Sequence, residues 1–93
     1  MNERAVVVTT EFRGVFFGYA DSTDGDVIRL KRARNCIYWS AKTGGFMGLA
    51  AKGPASGSRI GETADVELRK ITAVLKASPE AVQAWEAAET YRG

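Results

Sequence analysis

ADVELRKITAVLKA, residues 64–77, reads as β-strand in two phases. Val66 and Leu68 occupy even positions, whereas Ile71, Ala73 and Leu75 occupy odd ones. Successive side chains of a strand point to opposite faces, so one regular strand cannot turn both sets inward. A bulge or sharp bend near Arg69–Lys70 removes the conflict. A strand bent there lets a small sheet curl over itself. The expected fold is therefore mainly β, of α+β type: a small, strongly bent antiparallel sheet or barrel with one C-terminal helix.

The flanking segments supply the other elements. RAVVVTT (4–10) is β-branched and reads as a strand. FRGVFFGYA (12–20) reads as a second, with Val15, Phe17 and Tyr19 on one face and Phe16 and Gly18 on the other. STDGD (22–26) is a turn built on Asp24-Gly25. A third strand follows over Val27–Lys31, RARN (32–35) interrupts it, and CIYWS (36–40) resumes an apolar strand. SPEAVQAWE (78–86) opens with an N-cap serine, a proline at the first helical position and an acid in the first turn. Val82 and Trp85 then recur at helical spacing, so this helix should pack on the sheet.

Between the fourth and fifth strands lies TGGFMGLAAKGPASGSRIG (43–61), with six of the chain's ten glycines. FMGLAAK (46–52) can form one short helical turn, stopped by Gly53-Pro54. Phe46, Met47, Leu49 and Ile60 make it too apolar for a linker. Backbone N–H groups in glycine-rich turns can converge on a phosphate. Gly53, Gly57 and Gly61 permit that backbone, Ser56 and Ser58 can donate hydrogen bonds, and Arg59 adds charge. GPASGSRIG lacks the Gly-Lys-Ser/Thr ending of a Walker A loop, and no βαβ unit surrounds it. The same stretch suits a packed structural loop or a subunit contact.

Composition removes several function classes. The 93 residues fit one domain (1–93) with a small core, for which oligomerisation is a common remedy. There is no histidine and only Cys36, so catalytic triads and the usual zinc sites are ruled out, and no metal or cofactor is expected. Cys36 reads as a small buried apolar residue. An enzyme is the least favoured reading. The N-terminal run Ala5–Val8 is too short for a signal-peptide core, and no stretch approaches the ~18 apolar residues of a membrane helix. A cytoplasmic protein without membrane attachment is expected. The net charge of +2 is small, but Arg29, Lys31, Arg32 and Arg34 concentrate positive charge in six residues. Such a patch suits a small anion or an acidic partner better than a long duplex, and Arg34 could clamp a phosphate. A base could stack on Tyr38, Trp39 or Phe46, although such rings more often fill a core.

RGVFFGYA (13–20), LKRARNCIYWS (30–40), GFMGLAAKGPASGSRIG (45–61) and SPEAVQAWE together resemble a family of small uncharacterised proteins of bacteriophages and prophage-bearing bacteria, a domain of unknown function. The resemblance covers nearly the whole chain and implies a role inside an infected bacterium. It carries no activity and no catalytic residue. Some small β-rich phage proteins assemble into oligomers that sequester the host's nucleotide immune signals, an analogy of class only. Three functions are therefore expected in order. The first is a non-catalytic homo-oligomeric module binding a small nucleotide-like anion through Arg34, Trp39, Phe46, Ser56, Ser58 and Arg59. The second is a phage structural or protein-interaction component. The third is single-stranded nucleic-acid binding.

Overall fold

The corner expected at Arg69–Lys70 organises the sheet. The computed structural model describes residues 3–11 and 14–91. It contains β1 (Arg4–Thr10), β2 (Val15–Ala20), β3 (Val27–Tyr38), α1 (Gly45–Ala51), β4 (Arg59–Ile60), β5 (Ala64–Arg69), β6 (Ile71–Lys76) and α2 (Pro79–Ala87). Phe12 and Arg13, expected to begin the second strand, lie outside the described residues. The strands form one antiparallel sheet in the order β4-β3-β2-β1-β6, with β5 also paired to β3. Lys70, at φ 57°, is the only residue between β5 and β6. It turns the chain so sharply that β5 joins one side of β3 while β6 joins β1 at the opposite end of the sheet.

The barrel alternative is not realised. Closure would require β6 to pair with β4 or β5, and it pairs with neither. β4 has only two residues, and Thr90 bridges to Ile60 beside it. The expected break at 32–35 is also corrected. β3 runs unbroken for 12 residues, and Arg32, at φ 52°, is a bulge within it. The bulge explains the charged interruption. It shifts the register against both β2 and β5, so Ile28, Leu30 and Ala33 face one core while Cys36 faces the other. The Asp65 side chain accepts the Arg32 backbone N–H at 3.0 Å, which satisfies a donor that the bulge leaves without a ladder partner.

The sheet thus buries both faces. On the curled side Val6, Val8, Ala20, Ile28, Leu30, Ala33 and Leu68 pack together, with Phe16, Val66 and Ile71 against them. On the other side Val7, Val15, Phe17, Cys36 and Ile60 meet Leu49 and Ala50 of α1 and Ala81 and Trp85 of α2. Trp85 is fully buried, stacks on Phe17 with centroids 5.1 Å apart, and donates its indole N–H to the Leu49 carbonyl at 3.0 Å. Burying one such ring contributes on the order of 2–3 kcal/mol, and the hydrogen bond fixes α2 against α1. Ser78 caps α2 as expected, accepting from the Ala81 N–H, and its hydroxyl donates to the Ala51 carbonyl at the end of α1. Tyr19 donates to the Glu86 carboxylate, tying β2 to α2. Burial first, and that bond second, raise the Tyr19 phenol to about 12.

Arg34 completes the junction. Its side chain is only 6% exposed. Nε donates to the Gly61 carbonyl at 3.0 Å, and Nη1 to the carbonyls of Trp85 (2.7 Å) and Ala88 (2.6 Å). Nη2 donates to the Thr90 hydroxyl at 3.3 Å. The Trp85 and Ala88 carbonyls belong to the C-terminal end of α2, where intrahelical donors run out and the dipole is negative. Burial lowers the Arg34 pKa, yet a guanidinium starts high enough to stay charged.

Replacing Arg34 with Met should therefore lower stability by roughly 2–4 kcal/mol, since several charge-assisted bonds vanish and buried carbonyls lose their donor. A urea titration measures this, and a loss below about 0.5 kcal/mol would contradict the role given to Arg34. Gly53 offers a second test. It sits at φ 86°, and an added Cβ would lie 2.5 Å from the Ala84 Cβ of α2. Gly25 has the same φ of 86° with nothing within 4 Å. Gly53→Ala should cost roughly 2–4 kcal/mol, combining left-handed strain with a clash against α2, and Gly25→Ala only about 1–2 kcal/mol. Thermal melts of both variants compare the costs, and equal losses would mean that the loop can retreat from α2.

Candidate functional site

The segment 43–61 is mostly ordered structure. A 3₁₀ turn (Ala41–Thr43) leads into α1, whose apolar side carries the buried Leu49 and Ala50. After Gly53 the chain doubles back to β4. Hydroxyls hold this return in place. The Ser58 hydroxyl accepts the Ser40 N–H at 3.1 Å and lies 3.3 Å from the Thr43 hydroxyl. Thr43 Oγ1 accepts the Ala55 N–H at 3.2 Å, and the Ser58 N–H closes a turn on the Ala55 carbonyl at 3.1 Å. The Ala55 and Ser58 amides of the glycine-rich return are thus engaged within the loop.

A shallow groove of about 560 Å³ separates this return from the C-terminal end of α2. Pro54, Ala55, Ser56 and Gly57 line it from the loop, Ala84, Ala87 and Glu89 from the helix side, and the buried Ile60 from β4. Its volume falls in the range of small-molecule sites. Tyr91 also lines it, placed there by two contacts: Thr90 bridges in parallel to Ile60, and the Tyr91 N–H donates to the Ile60 carbonyl at 2.8 Å. Arg59 stands beside Tyr91. Its guanidinium carbon lies 4.9 Å from the Tyr91 ring centroid and 5.5 Å from that of Tyr38, its cross-strand partner in β3. Tyr38 is 51% and Tyr91 41% exposed. Among the described residues no carboxylate pairs with Arg59 and no hydrogen bond engages its side chain.

The six residues expected to bind a ligand are not gathered in one place. Ser56 and Ser58 line the groove, although Ser58 is occupied in anchoring the loop, and Arg59 does not line it but stands beside its lining residue Tyr91. Arg34 lies beneath it, directed at protein carbonyls. Trp39 is half-buried and packs on the core that α1 and α2 cover. Phe46 is exposed on α1 and is not among the residues lining the groove. The basic stretch around Arg34 is paired off: Arg29 with Glu67 (3.0 Å), Lys31 with Asp21 (4.0 Å) and Arg32 with Glu3 (2.7 Å). Arg32 also lies over the Tyr19 ring at 4.3 Å. The patch read from consecutive cations is therefore largely neutralised by acids from β5, from the turn after β2 and from the residue before β1.

Tyr91 and Thr43 were not among the expected site residues. Nothing local marks Tyr91, because its place depends on the bridge from Thr90 to Ile60. A weak signal for Thr43 existed in its position beside two glycines, where a hydroxyl can bond the backbone. Cys36 is buried, and burial raises its thiol to about 11, so little thiolate forms near neutral pH. Among the described residues no group of three or more Cys, Asp or Glu side chains is placed to hold a metal ion. Among them, too, no helix is long and apolar enough to cross a membrane.

No curated protein and no solved structure matches the chain. A family profile does match, over residues 3–85 and hence over nearly all of the sheet, the loop and most of α2. On that match the chain belongs to the family described as a domain of unknown function, DUF6948.

Proposed function

We propose that this protein is a non-catalytic binding module whose site is the groove between the loop and α2, and whose ligand is a small nucleotide-like anion held at Arg59. One observation carries the proposal: the Arg59 guanidinium rests on two exposed tyrosine rings and meets no carboxylate among the described residues. Ring stacking engages the flat faces of a guanidinium. Its N–H donors lie in the plane, so the edge stays available to a phosphate or carboxylate, which can take two parallel bonds. The small side chains of Pro54, Ala84 and Ala87 leave room for a flat ring, and Ser56 adds a hydroxyl. Glu89 can accept from a hydroxyl or amino group. A nucleotide combines an anion, a planar ring and such donors.

The resemblance to phage and prophage proteins supports a setting in the cytoplasm of an infected bacterium. There the module would act as a homo-oligomer that sequesters a host nucleotide signal. A second reading, a phage structural or protein-interaction component, is favoured by Phe46 and Met47, which are 41% and 65% exposed on α1. The internal pairing of Arg29, Lys31 and Arg32 reduces the cationic surface that β3 could offer to single-stranded nucleic acid.

A thermal-shift screen of mononucleotides and cyclic oligonucleotides, followed by calorimetry, should identify a ligand. Arg59→Ala should then weaken binding by tenfold to a hundredfold, roughly 1.5–3 kcal/mol, while the exposed position leaves the melting temperature nearly unchanged. Unchanged affinity would remove Arg59 from the site. If assembly weakened in the same variant, the interaction reading would replace the ligand reading.

A further inference from the structure

The fold aligns one acid with Arg59. The bridge between Ile60 and Thr90 is parallel, and the Tyr91 N–H donates to the Ile60 carbonyl. Parallel segments stay in step, so Glu89 stands alongside Arg59, and Tyr91 follows diagonally. Alternation turns residues 89 and 91 to one face and Thr90, whose hydroxyl meets Arg34, to the other. The contact of the Arg59 guanidinium with the Tyr91 ring places Arg59 on the face of Glu89 and Tyr91. Arg59 thus stands between Tyr38 of β3 and Glu89 of the C-terminal segment. Glu89 is exposed and is the one charged residue in the lining of the groove. Among the described residues no cation forms an ion pair with it. Glu86, on the last turn of α2, is engaged by Tyr19. The groove therefore has a cation at its rim and a carboxylate in its wall, aligned but not paired.

We infer that Glu89 selects the ligand by charge, so that the groove takes a phosphodiester, with one negative charge per phosphate, in preference to a phosphomonoester, with two. This rests on the reading above, in which Arg59 holds the phosphate of a nucleotide. Two scalings decide the preference. The attraction of a site grows in proportion to the charge of the ligand, whereas the cost of taking an ion out of water grows with its square. Arg59 alone would offset the larger cost of a dianion by a strong attraction. With Glu89 alongside, repulsion between like charges cancels part of that attraction for every unit of charge brought in. A singly charged phosphate loses least. Its oxygens also fit the place. A phosphodiester has two free oxygens, which the Arg59 fork can engage in parallel. A phosphomonoester has a third, charged in the same sense as its neighbour Glu89.

Glu89→Gln removes the charge and keeps the shape, and thermal melts check that the variant folds. Calorimetry at low salt and about pH 8, where a phosphomonoester carries close to two charges, compares matched ligands. The pairs are 3′,5′-cyclic AMP with 5′-AMP, and cyclic di-AMP with its singly opened form pApA. The wild-type chain should prefer the cyclic member of each pair by about threefold or more. In the AMP pair, Glu89→Gln should tighten the diester by about twofold and the monoester by about fourfold, because doubling the charge doubles the repulsion and squares the fold-change. Added salt should shrink both gains. Unequal gains of this kind support the assignment, since a merely structural role for Glu89 gives losses for every ligand. Equal binding of the two members by the wild-type chain would overturn it. So would a variant with unchanged or weakened affinities, a loss marking Glu89 as an acceptor of a ligand hydroxyl or amino group. In each of those cases a loss of binding in Arg59→Ala leaves the nucleotide reading standing. If no member of either pair binds, that reading falls and takes this inference with it.

Discussion

A buried cation that meets no carboxylate among the described residues holds this fold together. Arg34 reaches from the middle of β3 to the end of the loop at Gly61, to the last carbonyls of α2 and to Thr90. Burying a charge is costly unless its donors are satisfied, and here four hydrogen bonds and the negative end of a helix satisfy it. The planar fork matters as much as the charge. A lysine could offer three donors from one point but could not span acceptors on three separate segments. The sheet, the helix and the C-terminal segment thus share one fixed point.

The candidate site is a consequence of that point. Arg34 positions Thr90, Thr90 bridges to Ile60, and the bridge brings Tyr91 against Arg59. On the loop side, Thr43 and Ser58 hold the return of the chain opposite α2. Gly53 lets that return approach Ala84 more closely than any side chain would permit. The groove is therefore framed by the folded core rather than by a free loop. Such preorganisation favours affinity, because little ordering entropy remains to be lost on binding.

The arginines of β3 illustrate how one residue type divides its work. Arg29 faces solvent and meets Glu67 across the ladder, and with Arg69 it holds that carboxylate below its usual range. Arg32 occupies a bulge, where it covers Tyr19 and pairs with Glu3. Arg34, two residues on, points inward. The bulge decides this division, since one added residue reverses the face of everything beyond it. Exposed pairs such as Arg29–Glu67 contribute little stability, but they remove the positive field that four nearby cations would otherwise project.

Much of the fold was legible in the sequence. The parity change in ADVELRKITAVLKA located the corner at Lys70, alternation marked the strands, and Ser78-Pro79-Glu80 marked the start of α2. These are local signals, carried by side-chain periodicity and backbone preference within a few residues. The continuity of β3 was not legible, because a bulge and a break look alike when charged residues interrupt an apolar alternation. Of the site, Ser56 and Arg59 could be named from composition, but not their relation to Tyr38 and Tyr91. That relation joins residues from the end of β3, from β4 and from beyond α2, and it exists only once the C-terminal segment has bridged to Ile60. The sequence by itself determined where the chain bends and which faces are apolar, since both follow from neighbouring residues. The tertiary structure alone decided which cations are spent on internal acceptors, because a charge's partner is set by distance in space.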